Sequence, residues 1–211
     1  MTQPLDRNCV LPAVGEVDEK AGEFWIGNAF MIPLLGKNLS AFERNKLFLN
    51  MGGEFLDASF ASQADIESDS RSVIAADFNR DGAPDLLVGS AGGGPLRLFL
   101  NRFPQGGRVR IDLRGVDSNR AGIGSRVVLH CGAQTIVRDS FCANGFMGQA
   151  PPELLVGVGK AERIDRLSVR WPSGRVQEFQ NLPVDSRLAI TEGDDRYSAT
   201  PLPKTPAKPR P

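Results

Sequence analysis

Strict alternation of apolar and polar residues is the feature that most limits how this chain can fold. Residues 108–114 read Arg-Val-Arg-Ile-Asp-Leu-Arg. Because successive side chains of a β-strand point to opposite faces, this period predicts a strand with one buried face and one solvated face. The same period returns over residues 127–131 and 166–171. We therefore predict a small antiparallel β-sandwich or barrel-like domain over residues 107–193.

Glycine and proline punctuate the whole chain and favour short strands over helices. The 211 residues include 23 Gly and 15 Pro, set among short runs of Val, Ile, Leu and Phe, as in chains that are mainly strands and turns. Trp171-Pro172-Ser173-Gly174 fits a hairpin turn. A second turn at Gly132-Ala133 would pair Cys131 with Gln134 and leave Cys142 out of register. We therefore expect the cysteines to be buried free thiols.

An internal repeat points to a second kind of β structure. The segment Lys-Leu-Phe-Leu-Asn at residues 46–50 recurs as Arg-Leu-Phe-Leu-Asn at residues 97–101. A period near 50 residues is typical of a propeller blade. The residues between the copies supply about four strands, which is one blade. This predicts a propeller-type repeat over residues 46–106.

A single blade has a packing problem, because blades normally bury both faces against neighbours. Residues 1–45 form an N-terminal segment, irregular or a partial blade, that carries Phe24, Trp25, Phe30 and Met31. We expect this segment and the second domain to cover the blade, with a homodimer as the second option. The predicted fold is thus all-β, with one blade packed on the small antiparallel domain. Residues 194–211 are rich in proline and are expected to form a disordered tail.

One loop carries the residue pattern of a metal site. Residues 77–85 place oxygen-bearing side chains at loop positions 1, 3, 5 and 9 and glycine at position 6, with a backbone carbonyl expected to bind at position 7. Ca²⁺ binds six to eight oxygens, and glycine permits the sharp turn that brings alternate side chains together. The predicted calcium ligands are Asp77, Asn79, Asp81, the carbonyl of Ala83, and Asp85.

This loop differs from an EF-hand and has a simpler alternative explanation. An EF-hand needs a bidentate Glu at position 12, where Val88 stands, and the following residues predict a strand and not a helix. Asp, Asn and Gly also populate turns without any metal. Three crowded carboxylates would repel one another without a cation, which favours the calcium interpretation. One repeat period earlier, Ile26, Phe30 and Leu34 stand in place of the three carboxylates, with Asn28 in place of Asn79, so we expect one site.

Other features exclude several classes of function. The formal net charge is zero, which gives no general attraction to nucleic acid. No apolar run is long enough to span a membrane, and Met1–Val10 lacks the apolar core of a signal peptide. His130 is the only histidine, so zinc binding or Ser/His catalysis has little to build on, and a strand residue is expected there. The glycines at 92–94 precede a predicted strand and do not form a phosphate loop.

Several motifs give the chain a family resemblance. The calcium loop with Leu98-Phe99-Leu100-Asn101 resembles the FG-GAP or VCBS repeat. The region downstream is similar to the ASPIC and UnbV domain, and the whole resemblance covers about residues 46–193. The motifs of the downstream region are Asn-Arg-Ala-Gly-Ile-Gly-Ser-Arg-Val at 119–127, Gly-Phe-Met-Gly-Gln at 145–149, Gly-Val-Gly at 157–159, and Val-Arg-Trp-Pro-Ser-Gly at 169–174.

The resemblance implies calcium binding in a propeller-like repeat, an adhesion or binding role, and an extracellular or periplasmic location. It brings no catalytic residue set. The expected function is therefore a calcium-binding, non-catalytic recognition or adhesion module whose partner is a protein or a carbohydrate. The alternative is an accessory enzyme, either a hydrolase or a helper in secondary metabolism, with a site that the sequence does not identify.

Overall fold

The computed structural model describes residues 44–66, 70–90, 96–143, 145 and 148–203. Thirteen strands and one four-residue helix lie in these residues, which confirms the all-β prediction. The predictions for residues 1–43, for the glycines at 92–94 and for the last eight residues lie outside the described residues. These include the expected covering of the blade by the N-terminal segment.

The first repeat copy begins a β-hairpin. Strand β1 is Phe48–Asn50 and strand β2 is Phe55–Asp57, and the two pair antiparallel around a turn that contains Gly52 and Gly53. The Met51 N–H donates to the carbonyl of Glu54 at 2.9 Å, which closes this turn. A single helical turn, α1, follows at Ser59–Ser62.

The second repeat copy lies in another sheet. Strands β3 (Ser70–Ala76), β4 (Asp85–Ser90) and β5 (Arg97–Phe99) form a three-stranded sheet in that order. The strands predicted between the two repeat copies are therefore present. In the described part of the chain they lie in two separate sheets, of two and three strands. Their assembly into a propeller blade stays a prediction.

The chain divides into two compact units. One consists of residues 1–72 and 88–97, and the other of residues 73–87 and 98–211. The second unit contains both the predicted calcium loop and the strands of the predicted C-terminal domain. The domain boundary expected between residues 106 and 107 stays a prediction.

Two four-stranded sheets form the second unit's sandwich. In one the order is β11-β10-β7-β8, and in the other it is β13-β12-β6-β9, without closure into a barrel among the described strands. The strand bounds are β6 Gly107–Arg114, β7 Arg126–Cys131, β8 Gln134–Asp139, β9 Glu153–Gly159, β10 Arg163–Arg170, β11 Val176–Pro183, β12 Ser186–Thr191 and β13 Tyr197–Pro201.

The core lies between these two sheets and follows the predicted alternation. The apolar residues at 109, 111 and 113 are buried, and so are those at 127, 129 and 131. Trp171 closes one end of the core, where it follows β10 and begins the predicted turn. Burial of these side chains supplies the main favourable term for folding of this unit.

Two details of the sandwich differ from the expectation. First, β6 and β12 pair in parallel, so the domain is mixed and not purely antiparallel. Second, the expected disordered tail starts too early, because Tyr197–Pro201 forms β13 at a sheet edge. Proline is tolerated in an edge strand, since its missing N–H removes no bond to a further strand. The ring of Tyr197 also packs edge-on against Phe179, with the ring centroids 5.7 Å apart.

The described cysteines are free, as predicted. Cys131 is opposite Gln134 in the β7–β8 hairpin, in the register expected from the turn. Cys131 is buried, whereas Cys142 is only partly buried. Burial, and then the negative charge of Asp165, raise the pKa of the Cys131 thiol, which keeps it unreactive at neutral pH.

A fragment spanning residues 107–203 should fold by itself, because it contains all eight strands of the sandwich and its whole core. A shorter fragment ending at residue 193 should be less stable, since it loses β13 and the Phe179–Tyr197 contact. Thermal unfolding followed by circular dichroism compares the two. Equal melting temperatures would show that β13 adds no stability, and a collapsed amide NMR spectrum for the longer fragment would contradict independent folding.

Candidate functional site

The predicted calcium loop connects two neighbouring strands. Asp77 follows the last residue of β3, and Asp85 is the first residue of β4. The loop therefore begins and ends on strands, as predicted from the apolar residues after position 9. Asp81, Ala83 and Asp85 are buried, whereas Asn79 is exposed.

Left-handed backbone conformation gives the loop its tight curl. Arg80 has φ = 63° and Gly82 has φ = 84°. A Cβ atom at residue 82 would also lie 2.5 Å from Nε of Arg108 on β6. Glycine at position 6 is thus favoured by the backbone angle, and a larger residue would also have to displace the Arg108 side chain.

The carboxylates hold the loop together through backbone N–H groups. The two oxygens of Asp77 accept from the N–H groups of Asp81 and Gly82, both at 2.9 Å. Asp85 accepts from the N–H groups of Phe78 at 3.0 Å and Asn101 at 2.8 Å. These bonds fix the carboxylates and use one lone pair of each oxygen, so the remaining lone pairs are available to a cation.

Asp81 and Asn79 complete this network. The Asp81 carboxylate accepts from the N–H of Ala83 at 2.9 Å and from the side-chain amide of Asn79 at 3.1 Å. The amide oxygen of Asn79 in turn accepts from the N–H of Asp81 at 3.0 Å. The five predicted ligand residues therefore belong to one hydrogen-bonded loop.

The donor set of this loop is suited to a hard cation, but carboxylates alone do not form the site. Among the described residues, no group of three or more His, Cys, Asp or Glu side chains is placed to hold a metal ion. A cation bound here would therefore also need the amide oxygen of Asn79 and the carbonyl of Ala83. Such an all-oxygen set is one that Ca²⁺ accepts.

The loop contacts the sandwich through Arg108. One terminal nitrogen of this guanidinium donates to the backbone carbonyl of Asp81 at 2.5 Å and to that of Pro203 at 3.3 Å. Because Val109 and Ile111 face the core, Arg108 projects from the outer face of its sheet. The loop therefore lies against that outer face.

The charge of the loop affects the pKa of Glu153 on β9. Burial raises the pKa of Glu153, the neighbouring Arg110 guanidinium opposes this, and the negative charges of Asp112 and Asp77 raise it further. Glu153 also forms an ion pair with Arg110. The field of Asp77 therefore extends to the sandwich, and a bound cation would reduce its effect on Glu153.

His130 and Asp165 have structural roles near the β7–β8 hairpin. His130 is a partly exposed residue of β7, as expected, and its ring nitrogens face Thr135 Oγ1 at 3.1 Å and an Arg166 terminal nitrogen at 2.9 Å. Asp165 accepts from the N–H of Gly132 at 2.7 Å, a bond that supports the β7–β8 turn.

The described residues include no helix with the length and apolar character to cross a membrane.

The motif at residues 119–127 builds a rigid loop before β7. Asn119 accepts from the N–H of Ile123 at 2.9 Å and donates to the carbonyl of the same residue at 2.6 Å. Gly122 has φ = 64°, and a Cβ atom there would lie 2.7 Å from Cβ of Leu113. Asn and Gly in this motif are therefore explained by loop geometry.

Glu192 is an important residue that the sequence did not reveal. Its buried carboxylate accepts from the N–H groups of Val116 at 2.8 Å and Ser118 at 2.7 Å, and from the hydroxyls of Ser118 at 2.9 Å and Ser173 at 2.5 Å. It thus joins the loop after β6, the Trp-Pro-Ser-Gly turn and the end of β12. A lone Glu after a strand carries no local pattern that would predict this role.

Comparison with known proteins supports one part of the resemblance. The family model "ASPIC and UnbV" matches residues 115–196. That span covers most of the sandwich, the Asn119 loop and the Glu192 cluster. No curated protein matches the chain. Residues 115–196 are therefore similar to the ASPIC and UnbV family, and this span consists of strands and turns.

Proposed function

We propose that this chain is a calcium-binding, non-catalytic recognition module that acts outside the cell or in the periplasm and binds a protein or carbohydrate partner. The observation that carries the calcium part is the curled loop at 77–85. Its three carboxylates are fixed by backbone N–H groups while keeping lone pairs for a cation. The FG-GAP or VCBS character of the repeat belongs to the same proposal.

Geometry favours a structural role for the cation. The loop contacts Arg108 through the Asp81 carbonyl, and Asp85 accepts from the N–H of Asn101 beyond β5. A cation held by this loop would neutralise its crowded carboxylates. It would also stabilise the contacts of residues 77–85 with Arg108 and Asn101. Ca²⁺ would thereby stiffen the module and lower the ordering cost of binding a partner.

The absence of a catalytic role is proposed on chemical grounds. His130, the single histidine, has both ring nitrogens engaged by Thr135 and Arg166 on a strand. The buried carboxylate of Glu192 is surrounded by donors that keep it ionised, which suits a structural anchor more than a proton donor. These contacts support a scaffold that presents its surface to a partner.

Adding Ca²⁺ to the EGTA-treated chain should raise its melting temperature, because a ligand that binds only the native state stabilises it by mass action. At 100 times the dissociation constant the gain is about 2.7 kcal/mol. Asp81→Asn should remove the gain, since it replaces a buried carboxylate ligand of the loop. Differential scanning calorimetry with and without 5 mM Ca²⁺ measures the effect. For the dissociation constants of about 0.1–1 mM of extracellular calcium modules, this concentration gives a gain of about 1–2.3 kcal/mol.

Asp194→Asn is the matched control for this experiment. Like Asp81, Asp194 accepts a hydrogen bond from the backbone N–H two residues later in the chain. In Asp194 this donor is the N–H of Arg196, at 3.0 Å, and Asp194 lies outside the loop. This variant should keep the full response to Ca²⁺. A wild-type chain whose melting temperature is the same in Ca²⁺ and EGTA would overturn the calcium proposal, and the loop would then be a turn held by its own hydrogen bonds.

A further inference from the structure

The outer face of the β11-β10-β7-β8 sheet carries an unusual charge arrangement on its two central strands. Because Val127, Leu129, Leu167 and Val169 face the core, the residues that alternate with them, at 126, 128, 130, 166, 168 and 170, face outward. These six outward residues include three arginines and no carboxylate. We define the arginine face as Arg126, Val128 and His130 on β7 with Arg166, Ser168 and Arg170 on β10.

Strand register sets two like charges directly opposite each other. Arg170 pairs with Arg126 across β10 and β7, an arrangement that is destabilising in a sheet. Asp139 on β8 offsets part of this cost, because it accepts from Arg126 at both oxygens, at 2.7 and 2.9 Å. That geometry is bidentate and leaves the guanidinium of Arg126 neutralised.

Arg170 has no equivalent acid. Arg170 is exposed and forms no hydrogen bond or ion pair with any described residue. Its charge contributes to the lowered pKa of Asp139, after the larger effect of Arg126. On the other side, Arg170 is opposite Val176. Its planar fork of N–H donors is therefore free for a carboxylate from another molecule.

Two exposed valines lie on the same face as Arg170, one directly beside it and one in the next row. Val176 beside Arg170 is 58% exposed, and Val137, opposite Val128 in the next row, is 45% exposed. Arginine set among apolar groups is typical of protein interfaces. A polyanion such as nucleic acid or a sulfated glycan gains affinity from many cations at once, whereas this face offers one arginine without a hydrogen-bonded acid.

The arginine face is also open, in contrast to the outer face of the other sheet, which contacts the calcium loop through Arg108. On the arginine face, the hydrogen bonds and ion pairs of the described polar side chains run to neighbours on the same sheet: Arg166 to His130 and Glu178, and Arg126 to Asp139. No described segment covers it through such bonds.

We infer that the arginine face is a docking surface for an acidic polypeptide, with Arg170 binding a carboxylate and Val128, Val137 and Val176 packing on apolar side chains beside it. This inference rests on the proposed recognition function and names its partner class. Neighbouring strands of a sheet lie about 4.8 Å apart, so an extended segment that crosses the four strands of this sheet would reach Arg170 and the valines together.

The test uses the full chain, labelled with ¹⁵N, and a synthetic twelve-residue peptide of alternating Glu and Val. Amide shifts should occur on β7, β10 and the start of β11. Arg170→Glu, which reverses the charge, should weaken binding at least tenfold. Arg170→Gln, which only removes the charge, should also weaken binding. The Arg170→Glu variant should bind a peptide of alternating Lys and Val more tightly than the Glu-Val peptide. Arg196→Glu, at an exposed arginine outside this face, is the matched control and should bind like the wild type.

Binding is measured in EGTA, so that failure of the calcium loop and failure of the arginine face give different results. Loss of Ca²⁺ stabilisation with intact peptide binding would overturn the calcium proposal alone. Unchanged affinity in Arg170→Glu, or shifts confined to other surfaces, would overturn the docking surface. Stronger binding of a heparin oligosaccharide than of the Glu-Val peptide, at the same arginines, would overturn the choice of a polypeptide partner.

Discussion

Replacing Glu192 by Gln should lower the melting temperature of the chain by at least about 5 °C at neutral pH. Glu192 is 3% exposed, and its carboxylate accepts four hydrogen bonds from Val116, Ser118 and Ser173. Gln offers one acceptor oxygen and turns its amide N–H₂ toward the remaining donors. The hydroxyls of Ser118 and Ser173 then lose their charged acceptor, and a hydrogen bond to a charged group contributes more than a neutral one.

The same variant should change how stability depends on pH. Burial alone would raise the pKa of Glu192, but hydrogen bonds from Ser173, Val116 and Ser118 outweigh this and lower it from 4.5 to about 2. Because the folded-state pKa is depressed, the stabilisation is complete above about pH 4.5 and is lost as the pH falls toward 2. The difference in melting temperature between wild type and Glu192→Gln should therefore shrink between pH 5 and 2.5.

Thermal unfolding at several pH values, followed by circular dichroism, checks both statements. Glu178→Gln is the control, since Glu178 is an exposed residue of β11 whose ion pair with Arg166 spans 3.6 Å. Such surface pairs contribute little to stability. A Glu192→Gln variant that is as stable as Glu178→Gln at pH 7, or a difference that does not vary with pH, would contradict the anchoring role.

Local patterns predicted most of the sandwich because burial acts on one face of each strand. The alternation at 108–114 gave the correct inward residues, and the turn at Gly132 gave the Cys131–Gln134 pairing. The loop at 77–85 was equally local, since its hydrogen bonds join residues a few positions apart. Structural features that depend on about ten consecutive residues can therefore be predicted from a single sequence.

Long-range features were harder to predict for a physical reason. The parallel pairing of β6 with β12 joins residues 109–114 to 186–191, and no local period encodes which strands become neighbours. Glu192 binds groups 74 and 76 residues earlier in the chain. The edge strand β13 was missed because the prolines that follow it dominate the composition of the tail. The sequence alone could also not place Arg108 against the calcium loop.

A second large effect is expected at Gly115, where the loop of the family motif begins. A Cβ atom at this position would lie 2.2 Å from the carbonyl oxygen of Asn119 and 2.9 Å from that of Ser118. Both atoms belong to the backbone, so no flexible side chain can move aside. The loop is also held at this point by the Gly115 N–H, which donates to the carbonyl of Arg120 at 3.2 Å. Any added methyl group must therefore displace the loop itself.

Gly115→Ala should consequently destabilise the chain by about 2–3 kcal/mol, through overpacking and loss of the loop contacts. For a domain of this size, the melting temperature should fall by about 10 °C. Gly157→Ala is the matched control, because a Cβ atom at that β9 glycine would have no atom within 4 Å. It should leave stability unchanged within about 0.5 kcal/mol. Urea unfolding of both variants measures the difference, and equal midpoints would show that the 115–124 loop yields without cost and is not the rigid element described here.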